Sequence, residues 1–404
     1  TWPIGSPAGK TSPSPDVRTR SPGRTMSAFS RKSISGAEVL SPLIRALCWE
    51  GWIVAGTALA ASVSIITRAE LLPVPEIRPT SPIPSMAAQP SRMPSRAPTF
   101  SSKDCRKGEP LSAISVLSVN GNVIGVSAAL AAQMQEAGHG FPFNDANAAG
   151  RALFGASPGP LRLGVPFPFS MHMELVTYWL TALGLYDPQH ISVRTVPPPL
   201  MGEALRKGEI DAFCVGEPWG SAAVENGYGA LILPGSVIWG FAPEKVLSAR
   251  TAWAEDNPET AARLIRAIWR AGRWLAKPGS HTLAAELLSR PAYLNLPPEV
   301  IDRALTGRLV ITPGGVERQV AGFMEFHGDS AALPWPAHAE WIGARLAARY
   351  GLDELQAARR ARSVFRSDIF RAALAGTSAI LPASLAEAAP GRFFDGQEFT
   401  GGTG

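Results

Sequence analysis

Residues that commonly do chemistry are scarce in this sequence. Its 404 residues include six histidines, five tyrosines and three cysteines. Cys48, Cys105 and Cys214 form neither the close pairs of a metal site nor the even set of a disulfide framework. No metal and no cofactor is therefore expected, and the redox compartment stays open. Charge at 18% and hydrophobic content at 46% are ordinary for a globular protein. The uncharged run GWIVAGTALAASVSIIT (51–67) is seventeen residues long, short of the roughly twenty that a membrane span needs. No internal repeat is evident.

What is present divides at about residue 112. Residues 1–110 hold fourteen Lys and Arg against seven Asp and Glu, whereas the remainder holds 24 against 26. The basic pI near 9.3 thus belongs to the first quarter of the chain and gives the rest no direct role with nucleic acid. Stretches such as SPAGKTSPSPDVRTRSPGR and PTSPIPSMAAQPSRMPSRAPTF have no helix or strand period, and their prolines interrupt any ladder. Residues 1–112 read as an atypical Ser/Pro/Arg-rich leader, disordered or translated out of frame. A signal or anchor segment beginning at Met26 is the second reading. Against it, Glu50 abuts the apolar run and no clean cleavage site follows.

From Ala113 to about residue 400 strand and helix signals alternate. AISVLSVNGNVIGVS (113–127) reads as two strands about an Asn-Gly-Asn turn, and Ser127 to Gly138 as a capped helix. LRLGVPF is a short strand, followed by a helix from Ser170 to about Gly184. Its Leu175, Trp179, Leu180 and Leu183 should face the core. ISVRTVP, DAFCVG and ALILP are further strands, with a helix between each pair. This alternation predicts an α/β fold with a largely parallel sheet. Next come a strand through VLS, a short helix and a long helix with Asn257 as cap and Pro258 at its first position. Residues 280–385 read as mostly helical, with Trp335 and Trp341 in a connecting turn.

Three junctions offer polar groups. Ser170-Met171-His172 opens a helix, where free N–H groups and the helix dipole attract an anion. Gly216-Glu217-Pro218-Trp219 links a strand to a helix. There Gly216 permits close approach, Trp219 offers a flat face, and Glu217 is placed to orient His172 or Lys245. Lys245 supplies a full positive charge, and the amides of Asn120 and Asn122 can donate. Each group also has a plain reading: a solvated histidine, a packed tryptophan, an exposed lysine, an ordinary turn.

In order and spacing, VNGNVIGVS, PFSMHMELVTYWLTALGL, VPPPLMGEAL, GEIDAFCVGEPWGSAAVENGYG, PEKVLSARTAWAEDNPE, PWPAHAEWI and RFFDGQEF resemble the NrtA/CmpA family of nitrate- and bicarbonate-binding proteins and the related cytoplasmic nitrate sensor NasS. The likeness runs over about seven-tenths of the chain. It implies a two-lobed, type II periplasmic-binding-protein-like α/β fold, with residues 113–240 mainly the second lobe and 241–400 returning to the first. No counterpart of the family's opening strand and ligand loop is found before 112, so the first lobe is expected to be incomplete. By position, the resemblance gives His172, Lys245, Asn122, Gly216 and Trp219 as ligand-binding residues, and Glu217 and Ser170 as supports behind them. Met173 stands where the family commonly has Asn or Asp.

The function implied is non-enzymatic binding of nitrate, nitrite or a similar small oxyanion. The partners would be an ABC permease and ATPase for a transport component at the periplasmic face of the inner membrane. For a cytoplasmic sensor, the partner would be an RNA-binding antiterminator. The alternative is an enzyme of the pyrimidine-precursor synthase-like branch of the fold, with Cys214 and His172 as nucleophile and base. Cys214 lies mid-strand in an apolar run with no third orienting group, which argues against that.

Overall fold

The computed structural model describes residues 110–327, 330–385 and 391–397. The leader, the run 51–67, Cys48 and Cys105 lie outside the described residues. Among the described residues ten strands follow in order: β1 Leu111–Asn120, β2 Asn122–Ser127, β3 Leu161–Val165, β4 Ile191–Thr195, β5 Ala212–Gly216, β6 Gly229–Pro234, β7 Pro243–Arg250, β8 Arg308–Val310, β9 Glu317–Gln319 and β10 Met324–Glu325. They form a five-stranded sheet ordered β4-β3-β5-β2-β6, a three-stranded sheet ordered β10-β1-β7, and the small pair β8-β9.

The expected parallel alternation is present, with one reversal. β3 runs parallel to β4 and β5, whereas β2 lies antiparallel between β5 and β6. All six residues of β6 and the first four of β5 are buried. That fits their unbroken apolar text, since a strand covered on both faces has no polar side to alternate with.

The two strands expected about Asn-Gly-Asn are present. Asn120 (φ 61°) and Gly121 (φ 87°) have the left-handed backbone of a tight hairpin, but β1 and β2 do not pair. β1 joins β7 and β10, and β2 joins β5 and β6. The step instead carries the chain from one sheet to the other. A side chain at Gly121 would come within 2.7 Å of Met324 Cε, so glycine suits both the φ and the space. Asn120 Nδ2 donates to the carbonyls of Gly240 and Gly322, and its Oδ1 accepts from Ala242 N–H. Gly240 and Ala242 belong to the return crossing between β6 and β7, so this one amide ties both crossings together.

The helix Met171–Ala182 was expected to bury one face. Its first ten residues are all buried instead. The far side is covered by the helix Pro336–Tyr350 and by residues 391–397. Trp341, placed by sequence in a turn, lies inside that helix, and Trp335 sits at its N-cap position. Phe393 stacks on Trp239 (5.1 Å between ring centroids) and on Trp341 (5.6 Å), and packs tilted against Tyr178 at 4.4 Å. Tyr178 Oη donates to Asp395 Oδ2 at 2.9 Å, and Phe394 N–H and Gly240 N–H bond across to Ile238 and Arg392. Residues 391–397 thus lie as a strap along the return crossing.

Two expected caps are made otherwise. Ser127 does accept from Leu130 N–H. Asn257 stands before Pro258–Leu275, but its side chain donates to Trp253 O. Ser170 stands at the N-cap position of Met171–Ala182, yet its hydroxyl donates back to Phe167 O at 2.6 Å. The Ser170 hydroxyl therefore holds the preceding loop and leaves the helix's first turn without a side-chain cap.

Candidate functional site

The sequence candidates that come together do so between the two sheets. Asn122 opens β2 and is in register with Gly216 at the end of β5. His172 lies in the first turn of the helix after β3. These sit at the ends of strands in the five-stranded sheet, where open α/β sheets commonly hold ligands. Lys245 arrives from β7 of the other sheet. A Cβ at Gly216 would stand 3.5 Å from Asn122 Oδ1 and 3.8 Å from His172 Nε2, so glycine leaves the space between these groups open.

At the centre is Glu244, which the sequence reading did not single out. Its Oε2 accepts from Asn122 Nδ2 at 2.6 Å, its Oε1 pairs with Lys245 Nζ, and the same Oε1 lies 3.6 Å from His172 Nε2. The reason Glu244 and Lys245 reach one point lies in the β1–β7 ladder. Neighbours along a strand normally face opposite sides. Here Ser118 is opposite Lys245 while Val119 is opposite Pro243, which skips Glu244. The extra residue in the ladder re-aims its side chain, as bulges do. No run of sequence around PEKVL announces that shift.

Burial sets the electrostatics. His172 and Glu244 side chains are each 6% exposed, and Lys245 is the half-open member at 31%. Desolvation brings the His172 pKa down to about 4, with Glu244 pulling it up and Lys245 pushing it down further. At neutral pH the ring is uncharged, so its approach to Glu244 is a contact and not an ion pair. For Glu244, burial raises the pKa, but Lys245, His172 and the Asn122 hydrogen bond together outweigh it, and the net direction is down. Neither ring nitrogen of His172 and not the Oδ1 of Asn122 has a hydrogen-bond partner among the described residues. Other buried polar atoms, those of His139 and Thr177 among them, are likewise without a hydrogen-bond partner among the described residues; Asn122 Oδ1 and His172 Nε2 stand apart in lining one space beside Gly216.

Glu217 does not orient His172 or Lys245, contrary to expectation. Both of its oxygens accept from Ser221 N–H at 3.1 Å, which turns the carboxylate into the first turn of the helix Trp219–Glu225. Burial pushes its pKa up to about 7, partly offset by Ser221 and by the charge of Arg303. Trp219 packs half-buried against the core, and among the described residues no hydrogen bond or ring contact joins it to His172 or Lys245. Cys214 lies fully buried in mid-β5. Burial, then the Glu244 carboxylate, raises its thiol pKa well above the ordinary value, the opposite of an activated nucleophile.

Two sheets joined by chain crossings after β1 and after β6, with a polar cluster held between them, define a periplasmic-binding-protein-like α/β fold. A solved structure of the periplasmic nitrate-binding protein NrtA from Synechocystis superposes with a TM-score of 0.64 at 24% identity, covering 72% of this chain and 74% of that one. The model of the NMT1-like family matches residues 95–289. The chain is 34% identical over 185 residues to the nitrate/nitrite binding protein NrtA of Nostoc sp., covering 45% of this chain and 41% of that protein. It is also 35% identical over 223 residues to the nitrate import ATP-binding protein NrtC of Synechococcus elongatus, covering 54% of this chain and 33% of that protein. These likenesses agree with the resemblance to the NrtA/CmpA family read from the sequence. The chain spans between a third and about two-fifths of the length of these two relatives.

Proposed function

We propose that the chain binds a small planar monoanion, nitrate or nitrite before bicarbonate, between its two sheets and without chemical turnover. The five-stranded sheet and the β10-β1-β7 sheet act as the two lobes, and a guest held by His172, Asn122 and Lys245 draws groups from both. The observation that supports this is the convergence of a cation, an uncharged imidazole and an amide on the Glu244 carboxylate beside Gly216, a cluster of groups suited to holding an anion. Nitrate is trigonal and weakly basic, so it calls for several converging donors and one positive charge. Closure follows if the guest contacts the lobes better when they are together.

The likeness to a nitrate/nitrite binding protein and to part of a nitrate import ATP-binding protein favours a role as the binding component of an ABC import system, with a permease and an ATPase as partners. Calorimetric titration of the full chain with nitrate, nitrite and bicarbonate tests the reading. Saturable one-to-one binding is expected, and Lys245→Met should weaken it by roughly a hundredfold, because a charged partner of a desolvated anion is worth about 2–5 kcal/mol. Equal binding by wild type and Lys245→Met would remove the site from consideration.

A further inference from the structure

Every donor of the proposed site already faces an anion, and that anion belongs to the protein. Asn122 Nδ2, Lys245 Nζ and His172 Nε2 all turn to the carboxylate of Glu244. Around this carboxylate the titratable groups are His172 from the helix Met171–Ala182, Lys245 from the same strand and Cys214 from β5. Cys214 stays a neutral thiol. Glu217 is turned to Ser221, and Glu174, in the same helix turn as His172, faces Arg349 at 3.0 Å.

Resting on the anion-binding reading above, we propose that Glu244 is a built-in competitor of the guest. It sets the charge the site accepts: a monoanion enters together with one proton, and a dianion is refused. The argument is one of charge. Lys245 and Glu244 cancel and His172 is neutral, so the cluster is balanced before any guest arrives. A monoanion added to it leaves one uncompensated negative charge beside the buried His172 and Glu244, which is unfavourable. One proton taken up by the His172–Glu244 pair restores the balance. It also frees Asn122 and Lys245 from Glu244 to meet the guest. The orphaned ring nitrogens of His172 place an acceptor for that proton at the site. A dianion would need protons on both His172 and Glu244, and the positive charge of Lys245 opposes each of them.

Titrating the full chain with sodium nitrate, in two buffers of equal pH and different ionisation enthalpy, reads proton uptake directly. Uptake of close to one proton per nitrate is expected between about pH 6 and 8. With it, Kd should rise about tenfold per pH unit, and sulfate should bind roughly a hundredfold more weakly than nitrate. Glu244→Gln keeps the shape and removes the competing charge. It should bind nitrate at pH 8 at least as tightly as wild type, with little proton uptake and a narrower gap to sulfate. Nitrate binding by wild type without proton exchange, or sulfate binding as tight as nitrate, overturns the inference and leaves the anion reading intact. Absence of any heat with nitrate, nitrite and bicarbonate overturns the anion reading, and this inference with it. Should Glu244→Gln fail to fold, the two-buffer measurement on wild type decides alone.

Discussion

Glu217 shows how far a single carboxyl group can depart from its expected role. By sequence it lies beside Gly216 and Trp219 and reads as a support for the ligand shell. In the fold its oxygens are used by Ser221 N–H, and burial raises its pKa to about 7. Between about 4.5 and about 7 the folded chain therefore keeps a proton that the unfolded chain has already lost. Stability falls as pH rises through that window, by up to about 3 kcal/mol, and is level above it. Glu217→Gln should abolish this slope, leaving stability at pH 5 nearly unchanged and raising it at pH 8. Denaturant unfolding at the two pH values measures the difference. An unchanged slope in the variant would assign the pH dependence to other groups.

At the scale of the element, much was legible and the misses share a cause. Strands β3, β5 and β6 were readable because buried strands spell out continuous apolar text. The helix starting at Ala128 was readable because Ser127 and Gly138 bracket it. Asn120-Gly121 was legible as a break between two strands, but left-handed backbone is a local property and does not say that the flanking strands join different sheets. Glu244 was missed because its aim depends on the β1–β7 register, which pairs residues well over a hundred positions apart. His172, Lys245 and Asn122 were readable as polar groups at strand and helix junctions, each with a plain alternative, and the resemblance singled them out together. Close packing between elements gives a further test. At Gly229 an added Cβ would lie 2.0 Å from Val126 O, in the rung that joins β6 to β2. Gly229→Ala should push the two strands apart and lower stability by about 1–3 kcal/mol. Chemical denaturation would show a shifted midpoint; an unshifted one would mean that the sheet edge yields without cost.

On the scale of the whole molecule, residues 391–397 bring distant segments into one aromatic cluster: Tyr178 from the buried helix, Trp239 from the return crossing and Trp341 from the helix Pro336–Tyr350. Phe393, 6% exposed, is the ring common to all three contacts. Phe393→Ala should therefore lower stability by about 3–5 kcal/mol, and the emission of Trp239 should shift to the red as water reaches it. A variant as stable as wild type with unchanged emission would show that the strap rests on the cluster without sealing it.

The strap also fixes an order of events during synthesis. Trp239 is made about 150 residues before the ring that covers it, and at roughly 5–20 residues per second that interval lasts on the order of ten seconds. Through that time the Trp239 indole beside the return crossing waits for its Phe393 cover. Assembly of the aromatic cluster is thus coupled to the emergence of residue 393 from the ribosome.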